Sequence, residues 1–260
     1  MTTNITLREP STFELSTKDG LAKTQVVTPT GAGPWPAVVL FFDAGGLRPS
    51  QTRIAQRIAK GGYAVFIPDL FHRAPPLEEL LGEAVSMDAV RRAFNDPVLR
   101  PKFFAGYYGP ALDYTNLETT IGALLDHLAT RDDLTGRVGT TGYCMGGNAS
   151  FRAGTIFGER IAATAAFHPG GLVTDQPDSP HTRASRIRAR VYLGPSTDDL
   201  PPEEQAKLVH ELEAGSVDHR IDRYEARHGY AVDDSPVYDR AAAERHDAAL
   251  SELYGATLRG

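Results

Sequence analysis

Continuous apolar runs alternate along this chain with segments that carry apolar residues at helical spacing. The clearest runs lie at 37–42 and 63–67, and each is bounded by glycine or proline. Runs of this kind are typical of strands buried on both faces. Further strands are predicted at 138–141, 161–167 and 190–193. The alternation predicts an α/β fold, with a mostly parallel central sheet flanked by helices.

The two ends of the chain have weaker patterns. Two antiparallel strands are predicted near the start, at 5–7 and 24–27, and a short last strand at 222–224. The spacing of apolar residues over 241–258 predicts a closing amphipathic helix. Ser50 is a candidate N-cap for the first helix, because its hydroxyl can accept a hydrogen bond from a free backbone N–H.

The region from 75 to 113 is less regular than the rest. A helical stretch near 77–94 precedes an aromatic cluster that comprises Phe103, Phe104, Tyr107 and Tyr108. Two interpretations stay open: a lid over a functional site, or packing that fills the groove between two helices.

Composition narrows the class of protein. The 260 residues are 41% hydrophobic, which is enough for one α/β domain spanning 1–260. The net charge of −6 argues against a nucleic-acid partner, since binding phosphates requires clustered basic residues. No segment reaches the ~20 apolar residues of a membrane span, and the first residues do not resemble a signal peptide. A single cysteine cannot form an intrachain disulfide, so we expect a cytoplasmic protein.

That single cysteine lies in a distinctive motif. Cys144 occupies the pattern Gly-x-Cys-x-Gly, formed with Gly142 and Gly146, between a predicted strand and a predicted helix. This is the nucleophile elbow of the α/β-hydrolases with sulfur in place of oxygen. The glycines avoid a steric clash in the tight turn, and the helix that follows favours an anion at its N-terminus. The alternative is a small buried cysteine without chemistry.

In this fold the catalytic residues occur along the chain in the order nucleophile, acid, histidine. Candidates for the acid and for the histidine follow Cys144 in that order. Asp198 and Asp199 both come after the fifth strand, and both are candidates for the acid. His228 precedes the closing helix and is placed to take the proton from Cys144. His168 follows a strand and is a candidate for lining the pocket, with a structural role as the alternative. No cluster has metal-ligand spacing, so we expect no metal and no cofactor.

These motifs together resemble the dienelactone hydrolase family. The likeness is carried by Gly142-Tyr-Cys-Met-Gly-Gly147 and by Arg227-His-Gly-Tyr230, and it extends from about residue 37 to the end. It implies an eight-stranded α/β-hydrolase sheet and the opening of lactone or ester bonds through an acyl-thioester. On this resemblance Cys144 is the nucleophile, Asp199 the acid and His228 the base.

The resemblance also implies roles for other positions. Asp43 lies where the family has a glutamate that contacts the nucleophile. Aspartate has a shorter side chain, so the sequence does not decide whether Asp43 reaches the nucleophile. The N–H groups of Ala44 and Met145 correspond to the oxyanion hole. Arg73 corresponds to an arginine that binds a substrate carboxylate, the alternative being a loop arginine paired with a surface carboxylate. Val232 stands where the family has a second such arginine.

The sequence therefore predicts a hydrolase of small-molecule esters or lactones that uses a cysteine acyl-enzyme. Because a thiolate leaves readily from a tetrahedral intermediate, substrates with a stabilised departing group are favoured over peptides. Alternatives are thioester hydrolysis or acyl transfer on the same residues. A non-catalytic member of the fold that binds a ligand or senses redox state through its thiol is the other alternative, because fold does not dictate function.

Overall fold

The computed structural model describes residues 5–259, and within them eight strands form one sheet in the order β1-β2-β4-β3-β5-β6-β7-β8. In chain order the strands are β1 (Ser11–Thr17), β2 (Gly20–Val27), β3 (Trp35–Phe41), β4 (Ala64–Pro68), β5 (Leu134–Gly142), β6 (Ala163–Phe167), β7 (Arg190–Gly194) and β8 (His219–Ile221). β2 pairs antiparallel with both β1 and β4, whereas β3 to β8 are mutually parallel. The predicted α/β class is confirmed.

Helices flank this sheet. In chain order they are α1 (Pro49–Ala59), α2 (Leu77–Leu81), α3 (Met87–Asn95), α4 (Leu99–Phe103), α5 (Gly109–Leu112), α6 (Tyr114–Ala129), α7 (Met145–Phe157), α8 (Pro202–Ala214) and α9 (Arg240–Thr257). α1 packs with α9, whereas α6 and α7 pack with each other. A π-helical turn, Phe104–Tyr108, joins α4 to α5. Of the helices within residues 5–259, none is long and apolar enough to cross a membrane.

The central strands explain the continuous apolar runs. β4 and β6 are buried along their whole length, and β3 is buried after Trp35, because helices cover both faces of the sheet. Burial of a side chain such as Val39 or Phe41 stabilises the fold by ~1.5–3 kcal/mol. Because β3, β5, β6 and β7 are parallel, the residues that follow their C-terminal ends meet at one edge of the sheet.

The strand predicted at 5–7 is wrong. Residues 5–7 form no strand, and only an isolated bridge joins Leu7 to Pro29. The outer strand of the hairpin is instead β1, which runs from the pair Ser11 and Val26 to the pair Thr17 and Gly20. β1 is an edge strand in which only Leu15 is buried, so it lacks the apolar run by which inner strands are recognised.

The last strand was predicted three residues too late. β8 ends at Ile221, and the Asp222 N–H still donates to Leu193 O before the chain leaves the sheet. Tyr224 is buried because its ring stacks on Tyr230 at 4.6 Å, which gives this loop the apolar character of a strand. Sequence pattern alone does not distinguish a buried loop aromatic from a strand residue.

Two helix predictions also need correction. Ser50 is not the N-cap of the first helix. That helix begins at Pro49, and Arg48 occupies the N-cap position. The helical stretch at 77–94 is divided into α2 and α3, because Gly82 adopts a left-handed conformation with φ 71° that ends α2. α3 then begins anew after Ser86, whose side chain accepts the Ala89 N–H. The predicted closing helix corresponds to α9.

Candidate active site

The turn between β5 and α7 holds Cys144 in a strained conformation. Cys144 has φ 55° and ψ −118°, a region that residues with a Cβ rarely adopt. A Cβ on Gly142 would overlap the Gly146 carbonyl, and one on Gly146 would overlap the Phe41 carbonyl. The two glycines of the motif are therefore required by backbone packing, and the half-buried Cys144 stands at the N-terminus of α7.

His228 lies at the same edge of the sheet and is hydrogen-bonded to an aspartate. Its Nδ1 is 2.7 Å from Asp199 Oδ1, and the Ser196 N–H donates to Asp199 Oδ2 at 3.0 Å. Asp199 is buried, whereas Asp198 is exposed and makes no hydrogen bond to His228 within residues 5–259. Of the two candidate acids, the structure brings Asp199 and not Asp198 to the histidine.

The charges of these groups reinforce one another. Burial opposes the charged form of His228, but the negative charge of Cys144 and the hydrogen bond to Asp199 prevail and raise the pKa of His228 to about 11. Burial likewise opposes ionisation of Asp199, yet the hydrogen bond with His228 holds the pKa of this carboxyl below its usual value. The imidazolium is therefore the favoured form of His228.

Two buried backbone N–H groups follow the ends of neighbouring strands, and one of them belongs to the residue after Cys144. Ala44 and Met145 are buried, and their N–H groups donate to no acceptor within the part of the chain that the structure describes. Both follow strand ends that are neighbours in the sheet, because β3 and β5 pair in register from Ala37 to Phe41. Free N–H groups at such positions are suited to hold a developing oxyanion.

Asp43 makes no hydrogen bond to Cys144 among the described residues but is bound by an arginine that the sequence did not single out. Arg48 donates from Nη1 to Asp43 Oδ1 at 2.6 Å and from Nη2 to Oδ2 at 2.9 Å. The same guanidinium binds Asp234, with Nε 2.7 Å from Oδ2. The Gly45 N–H also donates to Asp43. Asp43 is therefore part of a buried ion-pair network that fixes the turn carrying Ala44.

Arg73 is placed differently from the carboxylate-binding role that the resemblance implies. Its Nη2 lies 2.8 Å from Asp19 Oδ2, and the same nitrogen donates to Thr120 Oγ1 and Asn116 O. These partners belong to the β1–β2 turn and to α6. The observed contacts match the alternative interpretation, in which Arg73 is a loop arginine paired with a surface carboxylate.

His168 has a closer relation to the cysteine than its sequence position indicates. Its Nδ1 accepts the Cys144 N–H at 3.1 Å, and its ring centroid lies 5.0 Å from that of His228. Burial, followed by the positive charge of His228, holds the pKa of His168 well below its usual value, so this histidine is neutral. The only sequence signal was a histidine directly after a buried strand.

In the aromatic segment 103–108, the charge of Cys144 acts on Tyr108. Burial raises the pKa of Tyr108, the negative charge of Cys144 raises it further, and Arg152 opposes both. The segment packs internally, since the rings of Phe103 and Tyr107 stack at 5.8 Å. A lid motion of this segment stays a prediction.

A cavity of about 480 Å³ adjoins the turn that carries Ala44. Gly46, Leu47, Phe71, His72 and Leu77 are among the residues that line it. It lies at the C-terminal end of β4, where Asp69, Phe71 and His72 line it. This space is large enough for part of a small substrate.

Comparison with known proteins identifies a family likeness over most of the chain. Residues 22–258 match the model of the Dienelactone hydrolase family. The chain is 24% identical over 238 residues to the "Putative carboxymethylenebutenolidase" of Synechocystis sp., covering 89% of this chain and 90% of that protein.

Solved structures show the same fold. The "Putative Dienelactone Hydrolase" of Klebsiella pneumoniae subsp. pneumoniae superposes with a TM-score of 0.80 at 18% identity, covering 96% of this chain and 98% of that one. A dienelactone hydrolase-like promiscuous phosphotriesterase from metagenomic libraries has a TM-score of 0.71 at 22% identity, covering 95% and 98% respectively. At these identities the likeness establishes the architecture and nothing finer.

Proposed function

Since this chain belongs to the dienelactone hydrolase family, we propose that it hydrolyses carboxylic ester or lactone bonds of small molecules through a Cys144 acyl-enzyme. The observation that carries the proposal is the pairing of His228 Nδ1 with Asp199 Oδ1 at 2.7 Å, in a site where the negative charge of Cys144 acts on the same imidazole. This is the arrangement of nucleophile, base and orienting acid that acyl transfer requires.

The reaction begins at the sulfur. The Cys144 thiolate attacks the carbonyl carbon, and the carbonyl oxygen takes up negative charge between the N–H groups of Ala44 and Met145. The C–O bond to the leaving group then breaks, and the imidazolium of His228 gives its proton to the departing oxygen. The products of this half are an alcohol, or the enol of an opened lactone, and a thioester on Cys144.

Water completes the cycle. Neutral His228 takes a proton from a water molecule, whose oxygen attacks the thioester carbon. The C–S bond breaks, the carboxylic acid leaves, and the thiolate and imidazolium are restored. Asp199 keeps the imidazole in one orientation and stabilises its charged form throughout.

Conversion of an activated aryl ester tests the proposal directly. Cys144→Ala removes the nucleophile and is expected to abolish turnover to the background rate. His228→Gln and Asp199→Asn are expected to lower kcat by ~10³-fold or more, because they remove the proton acceptor and its orienting partner. Initial rates of 4-nitrophenolate release, together with the intact mass of the protein during turnover, are the measurements.

Asp198→Asn is the matched control, since Asp198 is exposed and neighbours Asp199. It is expected to retain the wild-type rate. An acyl adduct on wild-type protein that is absent from Cys144→Ala supports the covalent route. Turnover that persists in Cys144→Ala would remove the nucleophile assignment, and peroxide oxidation of Cys144 without any ester turnover would favour a redox sensor.

A further inference from the structure

A cavity between α1 and α9 lies apart from the candidate active site. It has a volume of about 310 Å³, and its lining includes Arg57, Ile58, Tyr63, Asp247, Leu250 and Tyr254. α1 begins beyond the C-terminal end of β3, beside the site, and ends before β4 starts, so the cavity lies at the opposite edge of the sheet. The length of β4, roughly 15 Å for five residues, separates the two places. A space of this volume accommodates a small molecule.

Two buried polar atoms in the wall of this cavity have no partner. Tyr63 is 3% exposed, and its Oη makes no hydrogen bond within residues 5–259. The same holds for Nη2 of Arg57. Desolvated donors of this kind cost free energy unless something binds them. Both residues line the cavity, so a ligand placed there can supply the missing acceptor.

Asp247 does not satisfy Arg57 completely. Its Oδ2 lies 3.2 Å from Arg57 Nε, and its Oδ1 lies 3.2 Å from Nδ1 of the buried His246. One carboxylate is thus divided between two partners. Because a guanidinium carries five N–H donors, Arg57 can pair with Asp247 and still donate from Nη2 to a second acceptor.

Positive charge outweighs negative charge around the cavity. Lys60 is exposed and also lines it, and the guanidinium carbon of Arg259 lies 4.9 Å from the centroid of the Tyr63 ring. Among the lining residues within 5–259, Asp247 is the one carboxylate. Three cations, Arg57 included, therefore surround one carboxylate, and this balance favours an anionic ligand.

Much of the remaining wall is apolar. Ile58 and Leu250 line the cavity from the two helices, and the rings of Tyr63 and Tyr254 pack edge to face at 5.5 Å. The Tyr254 hydroxyl donates to Thr140 O, so this residue offers its ring and not its hydroxyl to a ligand. Aromatic rings pack favourably on one another in such edge and face arrangements. The cavity therefore suits an anion with an aromatic ring.

We propose that this cavity is a binding site for a small aromatic carboxylate. The carboxylate accepts hydrogen bonds from Arg57 Nη2 and Tyr63 Oη, and charge-assisted bonds of this kind are among the strongest in proteins. The aromatic ring lies against Ile58 and Leu250. The site does not depend on the ester chemistry proposed at Cys144, which is not among the residues that line the cavity.

Titration of isotope-labelled protein with benzoate, followed by its amide NMR signals, tests the site, and benzamide is the uncharged probe of the same shape. Wild-type protein is expected to bind benzoate about 10-fold more tightly than benzamide. Arg57→Gln is expected to raise the Kd for benzoate by about 10-fold or more, as for a lost hydrogen bond to a charged group. Tyr63→Phe removes an oxygen atom without a partner in residues 5–259, so it is expected to fold normally and to raise the Kd by about 3-fold or more.

Arg53→Gln is the matched control, because Arg53 lies one turn earlier on α1, pairs with Asp233 and does not line the cavity. It removes the same charge from the same helix and is expected to keep the wild-type Kd. Tyr63→Phe keeps the test decisive where Arg57→Gln fails to fold. A wild-type Kd in either cavity variant, or an equal rise in Arg53→Gln, overturns the site, as does an equal affinity of wild-type protein for benzamide.

The position of the shifted signals separates this cavity from the candidate active site. Benzoate is expected to shift the amide signals of residues 57–63 and 247–254 and to leave those of residues 142–148 in place. Cys144→Ala is expected to bind benzoate with the wild-type Kd, whether or not the protein hydrolyses esters. Shifts confined to residues 142–148, or no shift at all, would overturn the proposal.

Discussion

At the scale of single residues, the site holds two neighbouring histidines in opposite charge states. His228 faces Asp199 and Cys144, which favour its imidazolium, whereas His168 is fully buried and accepts a backbone N–H. Their rings are 5.0 Å apart, so the charge on one disfavours a charge on the other. A neutral His168 accepts the Cys144 N–H, and this hydrogen bond steadies the strained turn.

The charge of His228 gives a pH prediction. Its pKa of about 11 lies above the usual value, so the imidazolium persists from pH 6 through pH 9 and is lost only at higher pH. Cys144→Ala removes the negative charge that favours it, and the pKa of His228 is then expected to fall by roughly 1–3 pH units. Titration of the ring Cε1–H and nitrogen signals by NMR measures both values.

His228→Gln identifies the signal in these spectra, because exactly one imidazole resonance then disappears. An unchanged midpoint for His228 in Cys144→Ala would show that the cysteine charge does not act on this imidazole. The hydrogen bond to Asp199 would then account for the charged state by itself.

At the scale of elements, one buried guanidinium joins two loops of the site. Arg48 at the start of α1 binds Asp43, which precedes Ala44, and Asp234, which follows the His228 loop. The side chains of Arg48 and Asp43 are 4% and 3% exposed. The network therefore links the turn that carries Ala44 to the segment that follows His228, a relation that neither loop determines alone.

Breaking this network is expected to be costly. Arg48→Met leaves Asp43 buried and unpaired, which is expected to lower the free energy of unfolding by about 3–5 kcal/mol. Arg53→Met is the matched control, because Arg53 on the same helix pairs with Asp233 at a half-exposed position. Its expected cost is ~1 kcal/mol or less. Urea denaturation followed by circular dichroism measures both.

The double variant Asp43→Asn/Arg48→Met separates the buried charge from packing. It is expected to recover part of the lost stability, since no buried carboxylate stays unpaired. A double variant that is less stable than Arg48→Met would mean that the cost of Arg48→Met is lost packing and not an unpaired charge.

At the scale of the whole molecule, the antiparallel hairpin is tied to the α/β core by Arg73. This arginine connects Asp19, in the turn between β1 and β2, with Thr120 on α6. The hairpin otherwise joins the sheet through β2 and β4. Arg73 thus anchors the outer edge of the sheet, and its guanidinium is engaged by Asp19 and Thr120.

Arg73→Met is accordingly expected to loosen the hairpin and leave substrate selectivity unchanged. Backbone amides of residues 11–27 should exchange with deuterium faster, whereas those of β3 and β5 should not. The ratio of kcat/KM for mono-4-nitrophenyl glutarate, whose acyl chain ends in a carboxylate, to kcat/KM for 4-nitrophenyl butyrate should stay at its wild-type value. A lower ratio in Arg73→Met would instead assign the carboxylate to Arg73, as the family resemblance implies.

The sequence by itself determined the features that depend on local pattern. Continuous apolar runs predict β3, β4 and β6 because a strand covered on both faces must be apolar throughout. The Gly-x-Cys-x-Gly motif predicts the turn between β5 and α7, since a Cβ at either glycine would overlap nearby backbone. Chain order alone put His228 and an aspartate after the cysteine.

Tertiary structure decided whatever depends on contacts between distant parts of the chain. Asp198 and Asp199 are equivalent by pattern, and only the fold directs Asp199 inward to His228. By residue type, an arginine is expected at the solvated surface. The fold instead places Arg48 between two loops and Arg73 between the hairpin and α6. It also buries Arg152, one guanidinium nitrogen of which has no hydrogen-bond partner within residues 5–259. Burial and charge pairing come from packing across the whole chain, and no local pattern of residues encodes them.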